Sequence, residues 1–190
     1  RITAEACIHH LWFTEEDYAT KGNYIKWNPA VKSFNDRMNI REAVNDGRID
    51  VIATDHAPHT IEEKEQELLK APSGGPLVQH SLQALIDLHR QGIFTLEKIA
   101  EKASHAVADL FQITGRGYIR EGYSADVVLV DLNAPYTVTK ENLLYKCGWS
   151  PFEGHTFSST IVSTWCNGKL VFENGKLTGT KNGEALRFAR

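Results

Sequence analysis

Residues 49–54 read Ile-Asp-Val-Ile-Ala-Thr, a short, β-branched and almost wholly apolar run. Such a run suits a strand covered on both faces, as in a parallel sheet flanked by helices. A polar cluster, Asp55-His56-Ala57-Pro58-His59, follows without a break. It therefore falls at the C-terminal end of the strand. In parallel α/β barrels that end is the catalytic face. This feature directs the chain to an α/β architecture and puts a carboxylate and two imidazoles at one edge of it.

The flanking sequence agrees. Residues 1–13 read as a strand running into a loop, and Thr14-Glu-Glu-Asp17 has the chemistry of a helix start. Asn28-Pro29 interrupts any helix, because the residue before proline is pushed to extended geometry. Residues 32–46 read as a helix closing at Gly47. Residues 60–75 read as a short charged helix and then a loop rich in Gly and Pro. Leu82, Leu85, Ile86 and His89 share one helical face. Leu96, Ile99, Ala100, Ala103, Val107, Leu110 and Phe111 share another. After Gly115 the texture becomes all-β. A turn at Gly117–Gly122 leads to a strand ending near Asp131. The runs 161–166 and 169–172 flank Asn167-Gly168 as a hairpin, and Asn174-Gly175 repeats the turn signal.

Composition narrows the function classes. A length of 190 residues allows one ordinary domain, or one with a small appendage. Apolar residues make up 42% and charged residues 24%, a globular balance. The net charge of −3 gives no basic footprint for nucleic acid or an anionic membrane. The group Lys21, Lys26, Trp27 and Lys32 is too short to change that. No apolar run approaches the ~18 residues of a membrane span, and the start at Arg1 has no signal-peptide core. Cys7, Cys147 and Cys166 are odd in number and widely spaced, which fits free thiols in a reducing, cytoplasmic setting. There is no phosphate-binding GxxxxGK[ST] and no GxSxG nucleophile turn.

Several side chains could carry chemistry. Asp55 can bind a metal or act as a general base, or it can simply cap the next helix. Pro58 stiffens the turn and fixes the directions of His56 and His59, which are otherwise ordinary loop residues. Glu5, His9 and His10 form a second cluster. As ligands they need a further partner, since zinc takes about three or four; otherwise they are polar residues at a strand end. Asn28-Pro29 and Ala71-Pro-Ser73-Gly74-Gly-Pro76 are rigid loops whose backbone groups could face a ligand, or plain turns. Cys7 reads as a packed core residue. His80, His89 and His105 read as structural or solvated.

These segments, in this order, resemble the dihydroorotases of the amidohydrolase superfamily. Asp55-His-Ala-Pro-His59-Thr60 resembles the signature near the end of their barrel. Glu5-Ala-Cys-Ile-His9-His10-Leu11 is similar to Glu-Val-x-Pro-His-His-Leu, with departures at Ala6 and Ile8. Asn28-Pro29 resembles the Asn-Pro-Pro-Leu-Arg segment, with Ala30 and Lys32 in place of the second Pro and the Arg. Ala71-Pro-Ser73-Gly74, Gly117-x-Ile-x-x-Gly122-x-x-Ala-Asp126 and Ser150-Pro-Phe-Glu-Gly154 resemble further segments, so the likeness runs over roughly residues 3–175.

The resemblance implies an α/β fold. Residues 1–115 would be the C-terminal part of a metal-dependent (β/α)₈ TIM barrel, about its last two strands. Residues 116–190 would be a small β-sandwich segment. It implies a zinc hydrolase of pyrimidine biosynthesis that interconverts N-carbamoyl-L-aspartate and L-dihydroorotate. Asp55 would bind zinc and relay the nucleophile's proton to the leaving nitrogen. Asn28 and His59 would hold the substrate's carboxylate and ring edge, and Ser73 and Gly74 would offer backbone groups. Glu5, as in some members, would ligate an extra metal. The intact site would hold two zinc ions and a small-molecule substrate. Nucleic acid and membrane are not among the implied partners, and the resemblance allows a homodimer.

One departure is large: the superfamily's His-x-His pair does not occur in this sequence. The expectation is that these residues alone form an inactive fragment, with the remaining zinc ligands outside it. Alternative readings are a dihydropyrimidinase, hydantoinase or allantoinase type of cyclic-amide hydrolase, or a non-catalytic homologue serving as scaffold for a partner enzyme.

Overall fold

A computed structural model describes residues 2–189. Arg1, where the first expected strand segment opens, lies outside the described residues. The chain enters β1 (Glu5–Cys7), which runs straight into α1 (Ile8–Trp12) where a loop was expected. Ile8 and Leu11 are both buried, and their spacing of three residues makes a helical turn the conformation that hides both. A 3₁₀ turn and α2 (Tyr18–Lys21) follow. Their start is fixed by Thr14, whose backbone N–H donates to Asp17 Oδ2 at 2.8 Å.

Helix α3 (Phe34–Asn45) sits inside the expected 32–46 span. Ser33 and Asp36 close it reciprocally, Asp36 N–H to Ser33 Oγ at 3.2 Å and Ser33 N–H to Asp36 Oδ2 at 3.1 Å. Gly47, at φ +88°, turns the chain into β2 (Val51–Ala53). Strands β1 and β2 pair in parallel, Glu5 against Val51, Ala6 against Ile52 and Cys7 against Ala53. Side chains alternate across a strand. Ala6 and Ile52 thus enter the main core with Leu85 and Leu88, while Glu5, Cys7, Val51 and Ala53 share the opposite face.

Beyond the polar turn come α4 (Ile61–Lys64) and α5 (Ser81–Arg90), the latter burying Ala84, Leu85, Ile86 and Leu88. The expected long amphipathic helix is α6 (Leu96–Ala100), a π-helical turn Glu101–His105 and α7 (Ala106–Phe111). Lys102 in the π turn is buried and donates to Ile49 O at 2.8 Å, which ties this helix to the approach of β2.

The regular elements of the remainder are almost all strands: β3 (Val127–Asp131), β4 (Tyr136–Thr137), β5 (Thr156–Phe157), β6 (Thr160–Cys166), β7 (Lys169–Glu173) and β8 (Lys176–Leu177). Strands β3, β6, β7 and β8 form one antiparallel sheet in that order. The β6–β7 hairpin turns on Asn167 (φ +49°) and Gly168 (φ +76°), and the β7–β8 hairpin on Asn174 (φ +47°) and Gly175 (φ +83°). Both are the left-handed pairs that the Asn-Gly signals require. Among the described residues this sheet is one layer. The separate β4–β5 ribbon brings Val138, Phe152 and Phe157 into the same core as Leu11 and Phe13. The chain therefore crosses the expected division at residue 116, returns to the first core through 136–157, and leaves again. No helix among the described residues is long and apolar enough to cross a membrane.

Candidate active site

The candidate functional side chains lie along and beyond the parallel pair: Glu5 opens β1 opposite Val51, His9 and His10 follow β1, and Asp55 to His59 follow β2. Asp55 lies two residues beyond β2, exposed, at φ +47°. Glu5 is exposed on the open face of β1. Between them lies Cys7, itself buried. Burial, and then the nearby charges of Glu5 and Asp55, push the Cys7 thiol up to about 12. Cys7 thus lies between two carboxylates set towards opposite ends of the strand pair, since Glu5 pairs with Val51 and Asp55 follows Ala53, the partner of Cys7.

The loops around Asp55 are zipped together by backbone. Ala57 N–H donates to Gly75 O at 3.2 Å, and Gly74 N–H donates to Lys26 O at 2.9 Å. The segment carrying Asn28 is therefore laid against the 72–76 loop, and that loop against the Asp55 turn. Asn28 itself is exposed. His59 Nε2 lies 3.2 Å from Ser73 O and Nδ1 3.3 Å from Glu63 Oε2, so its ring bridges the loop and α4. Gly74, at φ +127°, lies where a Cβ would come within 2.6 Å of Ala57 O; only glycine permits this approach. The structure thus brings Asp55, His59, Ser73, Gly74 and the Asn28 segment to one end of the sheet, while Glu5 lies towards the other end, level with Val51. His56 does not join them: its Nδ1 accepts the backbone N–H of Leu77 at 3.1 Å and holds the next turn.

Sequence reasoning missed the groups that hold these loops. Lys64 is almost fully buried, and its ammonium donates to Gly74 O at 2.8 Å, Pro72 O at 2.9 Å and Lys26 O at 3.5 Å. Burial, and then Lys26 nearby, lower it to about 8. Trp149 Nε1 donates to His59 O at 2.8 Å from the other side. A buried lysine in the run Ile-Glu-Glu-Lys carries no signal that separates it from a solvated one. Cys7 was read as core; it is buried, yet it also faces both carboxylates.

His9 is fully buried, lies flat against Trp27 (ring centroids 4.3 Å apart), and has no hydrogen-bond partner on either ring nitrogen. Burial, and then His10, lower it to about 3, so it is neutral. His10 Nε2 lies 2.9 Å from Pro29 O. Glu5, Cys7 and His10 line a cleft of about 500 Å³ walled by α3.

The sequence profile of the Amidohydrolase family matches residues 9–171. The chain belongs to the amidohydrolase family. Its relatives include the dihydroorotase of Halobacterium salinarum, 39% identical over 153 residues, which covers 80% of this chain and 36% of the relative. The Clostridioides difficile dihydroorotase is 39% identical over 172 residues, covering 90% of this chain and 40% of the relative. Among solved structures, the L-hydantoinase (dihydropyrimidinase) of Arthrobacter aurescens superposes with a TM-score of 0.86 at 28% identity, covering 92% of this chain and 40% of that one. A D-hydantoinase superposes with a TM-score of 0.87 at 23% identity, covering 93% and 40%, a likeness of fold. This amidohydrolase chain thus spans about two-fifths of the length of the relatives it matches. The α/β amidohydrolase fold expected from the β2 signature is the fold observed.

Proposed function

We propose that this chain carries the proton-relay and substrate-holding part of a zinc-dependent dihydroorotase, which interconverts N-carbamoyl-L-aspartate and L-dihydroorotate in pyrimidine biosynthesis. The observation that carries this is the gathering of the Asp55 turn, His59 and loops 26–28 and 72–76 beyond the C-terminal end of β2, in a chain whose relatives include dihydroorotases. The exposed Asp55 carboxylate is an oxygen donor suited to a divalent cation. Asp55 would hold zinc and Glu5 would ligate an extra metal; the other ligands of a two-zinc centre would come from outside these residues. Bound zinc supplies a water that ionises near neutral pH.

The chain's own residues do the rest. Asp55 accepts the proton of the attacking water and returns it to the ring nitrogen as the amide bond breaks; ring closure runs the reverse. Its exposure leaves the carboxylate accessible to substrate. Asn28 offers an amide to the substrate's carboxylate. Ser73 and Gly74 present backbone groups to the ring edge, and His59 closes the same wall. The organisation would be a barrel part, 1–115, and a small β part, 116–190, whose four-stranded sheet is one layer of a sandwich. Val128 and Leu129 are adjacent on β3 and face opposite sides of that sheet, so both of its faces expose apolar surface. A cytoplasmic location and a homodimer complete the proposal.

The Arthrobacter aurescens likeness supports a second reading, a hydantoinase or dihydropyrimidinase type of cyclic-amide hydrolase. A substrate panel on the intact protein that contains these residues separates the two. Turnover of carbamoyl aspartate, with little of hydantoin or dihydrouracil, is expected. Asp55→Asn should lower it by ~10²–10⁴-fold. Preferential turnover of hydantoin, or an Asp55→Asn variant at full rate, would overturn the dihydroorotase reading.

A further inference from the structure

We propose that Cys7, His9 and His10 form a separate site for a borderline-soft divalent cation of the zinc type, with its fourth position open to the cleft beside α3. The three side chains each offer one ligand atom, and these atoms all lie within 4.8 Å of one another. Tetrahedral zinc bonds of about 2.0–2.3 Å place donors about 3.3–3.8 Å apart, so small side-chain rotations close the set. The donor types, one thiol sulfur and two imidazole nitrogens, match that metal class.

Independent observations point to a ligand here. His9 is fully buried with both ring nitrogens unpartnered. Buried polar atoms almost always have a partner, so this ring lacks one that a metal would supply. Trp27 covers one side of it and His10 lies 4.0 Å away, which fixes its position. His10 donates Nε2–H to Pro29 O, which leaves the Nδ1 lone pair for a metal; metal-bound histidines are oriented by such outer carbonyl contacts. Local structure explains why the three meet: Cys7 ends β1, and His9 and His10 fall in the helical turn that follows at once.

Charge favours occupancy. On binding, the Cys7 thiol gives its proton to solvent and its thiolate takes the metal. The fields of Glu5 and Asp55, which disfavour a bare thiolate, attract the dication. Glu5 and His10 line the cleft with Cys7, so water can fill the fourth position. This set uses neither Asp55 nor Glu5 as a ligand, so it stands apart from the proposed catalytic pair.

The test uses the 190-residue chain with Cys147→Ser and Cys166→Ser, leaving Cys7 as its single thiol, titrated with cobalt(II). One equivalent should produce near-ultraviolet thiolate-to-cobalt absorption and the strong visible bands of tetrahedral cobalt. Cys7→Ser should abolish the thiolate band, and His10→Gln should weaken binding by at least about tenfold, each with unchanged circular dichroism. Asp55→Asn should keep the band. Loss of the band in Asp55→Asn would assign the metal to the catalytic pair and overturn this proposal, as would its absence from the parent chain. X-ray absorption on the zinc-loaded chain gives a second readout: one sulfur at about 2.3 Å is expected, and a shell of only oxygen and nitrogen rejects the site.

Discussion

His80 shows how one buried side chain sets the acid limit of the fold. It is fully buried against Phe157, Tyr136, Tyr145 and Phe152, with Ser150 Oγ 3.4 Å from Nδ1. Burial lowers it from 6.5 to about 4. Between those values the unfolded chain holds a proton that the folded chain rejects. Stability from this group is therefore full above pH 6.5 and lost as pH falls towards 4. The slope is about 1.4 kcal/mol per pH unit while one proton is taken up on unfolding. Urea unfolding between pH 4 and 7 should give a wild-type slope steeper than that of a His80→Phe chain by about this amount, the buried His9 adding its own share to both. Parallel pH profiles for the two would contradict the assignment.

At the scale of elements, Lys64 links three segments that no strand or helix joins. Its ammonium holds Gly74 O and Pro72 O from α4 and reaches Lys26 O. Lys64→Met would keep most of the stem's packing and leave the two nearer carbonyls without their donor, at a cost of about 1–3 kcal/mol each. Its pH signature is opposite in origin to that of a stabilising ion pair. Lys64 titrates at about 8 folded and 10.5 unfolded, so its charge opposes folding below pH 8 and the opposition fades up to 10.5. The wild type should gain stability over that window relative to Lys64→Met, measured by denaturant midpoints. A constant difference across it would reject the role.

What could be read from sequence follows the same division. The helix within 32–46, the short helix after residue 60 and the Asn-Gly hairpins were legible, because each depends on residues within a few positions. The Asp55 turn was legible because an apolar run stops abruptly there. The α1 turn, the π turn around Lys102 and the buried state of Lys64 were not. Each depends on what packs against it from far along the chain, Lys102 on Ile49 and Lys64 on the 72–74 loop. Likewise, one-dimensional spacing showed Glu5, His9 and His10 as a cluster, but not that Cys7 joins it.

On the scale of the whole molecule, the covered and uncovered faces disagree. Parallel strands normally carry a layer on both sides. Here Ala6 and Ile52 are covered by the helical core, and on the other face Cys7 and Val51 are buried while Glu5 is left exposed. Among the described residues β1 pairs with β2 alone, which leaves the outer edge of each strand free. Ile119 and Leu177 are also exposed, at 89% and 65%, alongside Val128 and Leu129. Free strand edges and apolar patches drive association. Light scattering on the 190-residue chain should therefore give a mass that rises above 21.3 kDa with concentration. The same chain, supplied with zinc, should not turn over carbamoyl aspartate, because Asp55 and Glu5 are too few donors for two metals. A monomer at every concentration would show that these faces are closed without another layer. Turnover by that monomer would show that the residues here suffice for the chemistry.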